Sequence, residues 1–128
     1  MSTQIKFKQI QSYLDAIAAN ANLDVAGSPH KSFWNVPYTD FIHGVIPKTK
    51  CKGNPILIIN KQNPENSPFY VILTNGQGFC NIVQMPPTGP YITDAGYSAT
   101  LPDGTVVTGA KIQQDIHEWL TNGYPENV

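Results

Sequence analysis

The stretch Ile10-Gln11-Ser12-Tyr13-Leu14-Asp15-Ala16-Ile17-Ala18-Ala19-Asn20-Ala21 carries the clearest periodicity in the chain. Ile10, Tyr13, Leu14, Ile17 and Ala21 fall at i, i+3, i+4, i+7 and i+11, which lines them along one face of an α-helix. Ser2 or Thr3 supplies a cap upstream, and the Asn20-Ala21-Asn22 region ends the helix. A second stripe lies near the other end. Ile112, Ile116, Trp119 and Leu120 predict a helix over about 111–121 that Gly123 stops.

Two short helices are expected between these. Pro37 suits the first turn of one that Gly44 ends, and Ser67-Pro68 suits the N-cap and first position of another, which runs through Phe69-Tyr70-Val71-Ile72-Leu73 to Asn75-Gly76. The segment 45–63 holds Pro47, Gly53 and Pro55 with little periodicity, and reads as a long packed loop. Residues 97–108 read as a β-hairpin, because Pro102-Asp103-Gly104 is a turn flanked by β-branched and aromatic residues. The expected architecture is mainly α: a small helical domain with long loops and one inserted β-hairpin, all within one domain, 1–128.

Composition narrows the function classes. With 128 residues and 41% hydrophobic side chains the chain has material for one core. Its eight basic residues are all lysine, set against nine acidic ones, so no basic face for nucleic acid is expected and no guanidinium exists for bidentate phosphate contacts. The longest apolar run, Ile56 to Ile59, is far shorter than the ~20 residues of a membrane span. Cytoplasmic placement is expected if Met1 is the native start, and periplasmic or extracellular placement if a leader has been removed. No Gly-x-Ser-x-Gly elbow and no phosphate-binding glycine loop occurs, so nothing in the sequence supports an enzyme.

Three motifs in order resemble the C-terminal half of small class I cytochrome c domains. They are Pro64-x-x-Ser67-x-x-Tyr70-x-x-Leu73, Met85-Pro86-Pro87-x-Gly89-Pro90-x-Ile92-Thr93-Asp94, and Ile116-x-x-Trp119-Leu120-x-x-Gly123-x-Pro125-Glu126. The resemblance implies a cytochrome c-like fold whose last helix packs across the first, with Met85 as distal haem ligand and His30 as its partner. It also implies Cys-x-x-Cys-His after the first helix, where two thiols attach the haem. The positions before His30 hold Ala26 and Pro29 instead, so covalent attachment is lost.

Two functions follow as expectations. In the first, the chain is a non-catalytic binding or structural module with an unidentified protein partner and no cofactor, its core refilled by aromatics among which Phe33, Trp34, Tyr38, Tyr70 and Trp119 line either core or pocket. In the alternative, His30 and Met85 hold a non-covalent haem for electron transfer or haem sensing. Cys51 and Cys80 leave three readings open: a disulfide, two buried thiols, or metal ligands with a histidine, although the close ligand spacing of a zinc site is absent. A disulfide would close a loop of about 30 residues, worth roughly 3–4 kcal/mol, and would point to an oxidising compartment.

Overall fold

The computed structural model describes residues 5–21, 34–80, 82–85 and 90–127, without the side chains of 47–49. In chain order the elements are α1 (Phe7–Asn20), α2 (Tyr38–His43), β1 (Val45–Cys51), β2 (Asn54–Leu57), a 3-10 turn (Pro64–Asn66), α3 (Pro68–Thr74), β3 (Ser98–Thr100), β4 (Val106–Thr108) and α4 (Gly109–Thr121). The class is therefore α+β: four helices and two small antiparallel sheets among the described residues. The mainly α expectation is corrected by the first of these sheets.

That sheet occupies the segment read from sequence as a loop. Cys51 pairs with Asn54, so only Lys52 and Gly53 make the turn. Both take positive φ, 53° and 82°, the left-handed backbone that two-residue hairpin turns require and that glycine supplies without strain. Pro47 and Pro55 argued against strands because proline breaks a ladder. Among the described residues the ribbon has two strands, and its register shifts between Val45 and Lys50, an irregularity that relaxes the ladder's demand on proline. The second sheet lies at the expected place, with Ser98, Ala99 and Thr100 opposite Thr108, Val107 and Val106.

α1 begins at Phe7 rather than near Ser2 or Thr3. Its first turn is closed by Gln9, whose side-chain oxygen accepts from the Lys6 N–H at 3.0 Å. Ile10, Tyr13, Leu14 and Ile17 of the stripe are buried, joined by Phe7 one turn upstream. α4 starts two residues before the expected Lys111, with the Thr108 hydroxyl accepting from the Lys111 N–H at 3.2 Å, and Ile112, Ile116, Trp119 and Leu120 are fully buried. Ser67 precedes α3 as expected, yet its hydroxyl does not cap the helix. It donates to the Pro64 carbonyl at 2.6 Å and accepts from the Asn60 N–H at 3.0 Å, which folds 60–67 back on itself.

The core is organised around Trp119. Phe7 of α1 stacks on its indole with centroids 6.2 Å apart, and Phe41 of α2 meets it edge-on at 6.2 Å. Phe41 touches Phe7 at 5.1 Å and Phe69 of α3 at 5.4 Å. The indole N–H donates to the Pro125 carbonyl at 2.8 Å, which draws the C-terminal segment over the same cluster. A second tie joins the outer helices: the Tyr13 hydroxyl donates to the buried carboxylate of Asp115, which also takes the Lys111 ammonium at 3.0 Å. A buried carboxylate is tolerated because both partners are in place.

Burial, and then the Asp115 carboxylate, push the Tyr13 phenol far above its usual value; burial also raises Tyr70 and Tyr97. A raised folded-state pKa stabilises the native state fully below the ordinary tyrosine value of about 10 and loses that contribution as pH rises through the folded value. Equilibrium unfolding between pH 8 and 11 is therefore expected to show falling stability above about pH 10. Tyr13→Phe should flatten that decline, while costing roughly 1–3 kcal/mol at neutral pH by removing one partner of a buried carboxylate. Trp119→Ala is expected to cost about 3–5 kcal/mol or abolish folding, read by denaturant titration.

Candidate functional site

The expected site residues do not converge. His30 and Phe33 lie outside the described residues. Met85 sits half-buried against the core, fixed by its own N–H donating to the Ile72 carbonyl at 2.9 Å. Trp34 is pinned to the flank of α1, its indole N–H donating to Asp15 at 2.7 Å. Tyr38 meets Phe7 edge-on at 5.4 Å and donates to the Tyr124 carbonyl at 2.6 Å, so it belongs to the Trp119 cluster. Tyr70 faces α4 instead, 3.3 Å from the Gln113 carbonyl and beside the His117 ring. Of the five aromatics named from sequence, Tyr38 and Trp119 thus share one ring cluster, while Trp34 bonds to α1 and Tyr70 to α4.

Cys51 and Cys80 form a disulfide with Cα atoms 5.7 Å apart. It fastens the end of β1 to the loop after α3. That loop is tight: Phe79 and Ile82 exchange backbone hydrogen bonds of 2.9 and 2.8 Å, and Gly78 takes φ of +73° at a point where a Cβ would stand 1.8 Å from the Ile82 carbonyl oxygen. Cys80 itself takes a left-handed φ of 48°. The buried Gln84 then returns the chain to α3, its amide donating to the Leu73 carbonyl and the Thr93 hydroxyl, each at 3.0 Å.

Between the disulfide, the end of α2 and β2 runs a groove of about 600 Å³. Ile42, Pro55, Leu57, Ile59, Pro68 and Phe79 give it apolar walls, with the Cys51 end of the disulfide among them. Leu57 is 53% exposed at its rim, and Val45, its cross-strand partner, is also exposed. Exposed β-branched or leucine side chains placed side by side on a ribbon form a contiguous apolar surface rather than scattered singletons. Among the polar lining, the Lys61 ammonium donates to Nδ1 of His43. The Lys61 segment is held by Asn60, whose side-chain oxygen accepts from the N–H groups of Gln62 and Asn63 at 3.1 Å each.

A second cleft of about 640 Å³ separates the start of α1 from the β3–β4 turn. Lys6 and Lys8 line it, but Asp103 lines it too, so its charges oppose one another. The Asp103 carboxyl is held below its usual range, chiefly by hydrogen bonding with the Thr105 N–H. Among the described residues, no three His, Cys, Asp or Glu side chains come together as a metal site, and no helix is long and apolar enough to cross a membrane. No protein family, curated protein or solved structure matches the chain.

The sequence reading missed the groove because it missed the β1–β2 ribbon. The legible signal was Lys52-Gly53 between two runs containing β-branched residues, masked by the two prolines. Because the disulfide closes a loop of 29 residues' separation, replacing Cys51 and Cys80 with alanine is expected to lower stability by about 3–4 kcal/mol. Urea unfolding of wild type with and without dithiothreitol should give the same difference; coincident curves would mean the bond contributes nothing.

Proposed function

We propose that the chain is a non-catalytic binding module whose binding face is the groove between the disulfide, α2 and β2. The observation that carries this reading is a contrast in packing. The interior is closed by interlocking rings of Phe7, Phe41, Phe69 and Trp119, all at least 95% buried, whereas the groove leaves Leu57 more than half exposed beside a rigid wall. Binding clefts are concave, mostly apolar, and carry a few placed polar groups, which describes this groove with its Lys61–His43 pair. The disulfide stiffens the wall and favours the oxidising-compartment branch of the localisation expectation.

The cytochrome c-like reading enters as a likeness of helix order. Support for it comes from the contacts of α1 with α4 through Phe7 and Trp119 and through Tyr13 and Asp115. The β1–β2 ribbon departs from its mainly α expectation. The volume around Trp119 is taken by rings with centroids 5.1 to 6.2 Å apart, which supports the core refilled by aromatics over an open porphyrin slot there. Adding haemin to the protein is expected to leave its absorbance unshifted. A shifted Soret band that Met85→Ala abolishes would favour the haem reading instead.

The groove reading is tested with 1-N-phenylnaphthylamine, a neutral apolar fluorophore. Its emission should rise on binding, and Leu57→Glu should weaken the binding roughly tenfold by placing a charge on the apolar rim. Leu57 is exposed enough that the variant keeps its fold, which thermal unfolding checks. Binding that ignores Leu57→Glu, or no binding at all, would overturn the reading.

A further inference from the structure

We propose that the ligand of this groove is a single-chain carboxylate, an apolar tail carrying one terminal anion. The inference rests on the groove reading and adds the chemical class of the occupant. Two observations carry it. The described residues that line the groove include no acidic side chain, and their two ionisable groups, Lys61 and His43, are both basic and touch each other. The rest of the lining is mostly apolar, with Ile42, Pro55, Leu57, Ile59 and Phe79 among it and Asn54, Asn60 and Gln62 as its neutral polar members.

A basic pair beside an apolar lining, with no acid among the lining residues, matches an amphiphile with an anionic head and an apolar tail. A lysine ammonium has three donors, and His43 takes one of them at Nδ1. The others are available to a carboxylate, which accepts at two oxygens. His43, held by that contact, presents its ring beside the same anion. A charge-assisted hydrogen bond beside an apolar wall is stronger than one in open water, so the anion anchors the ligand while the tail supplies the burial. Asp40 and Glu65, the acidic residues of α2 and the 3-10 turn, do not line the groove and leave its basic pair uncompensated from within. A groove of about 600 Å³ also lies within the usual range for a small organic ligand.

Competition against bound 1-N-phenylnaphthylamine tests the proposal, with dodecanoate below its micellar concentration and dodecanol as the neutral match. Dodecanoate is expected to displace the probe at roughly three- to tenfold lower concentration than dodecanol. Lys61→Gln should remove that difference between acid and alcohol, and Lys61→Arg should restore it. Equal displacement by acid and alcohol would overturn the carboxylate proposal and leave the groove reading standing. Absence of probe binding together with absence of binding by either competitor would overturn both. Sedimentation of the protein with phosphatidylglycerol vesicles, without displacement of the probe by dodecanoate, would assign the basic pair to a membrane surface and likewise overturn the proposal.

Discussion

Every helix of the described fold reaches the indole of Trp119, directly or through one ring. Phe7 brings α1, Phe41 brings α2, and Phe69 brings α3 through Phe41; Tyr124 adds the segment after α4 at a centroid distance of 6.2 Å. A buried tryptophan carries one polar atom that must find a partner, and here the Pro125 carbonyl provides it. The requirement therefore fixes more than packing. It commits the residues after α4 to turn back across the core, where the Tyr38 hydroxyl also holds the Tyr124 carbonyl.

Outside that cluster the molecule relies on a different kind of constraint. Among the described residues β1 and β2 form a ribbon of two strands, which is marginal by itself. It is held at three points: the Ile58 N–H on the Gly44 carbonyl, the buried side chains of Ile46, Ile56 and Ile58, and the disulfide to Cys80. The cross-link ties the ribbon to the loop after α3, and the groove runs between that disulfide, the end of α2 and β2.

The sequence was legible where one period ran for several turns. Ile10 to Ile17 and Ile112 to Leu120 each bury a stripe that a helix alone can gather, and the β3–β4 hairpin announced itself through Pro102-Asp103-Gly104. It failed where two local rules collided. Lys52-Gly53 specifies a hairpin, while Pro47 and Pro55 argue against strands, and a short ribbon with a shifted register lets both hold. The candidate site was less legible still, for a related reason. Lys61 and His43 stand 18 positions apart and meet only because the ribbon returns the chain beside α2. No spacing within the sequence encodes that meeting. Ser67 shows the same limit on a smaller scale, since its place before a proline marks a helix start but not which backbone group its hydroxyl will choose.

The C-terminal segment does one more thing. The Phe7 N–H donates to the Glu126 carbonyl at 3.3 Å, so the two extremes of the helical frame lie one hydrogen bond apart. In topological terms the stretch from residue 7 to residue 126 is nearly a ring. The fold is then defined by the cyclic order of its elements rather than by where that ring is opened. A circularly permuted chain, joined across that gap and opened at the exposed Pro102–Gly104 turn, would keep the Trp119 cluster, the Tyr13–Asp115 pair and the disulfide with every partner unchanged.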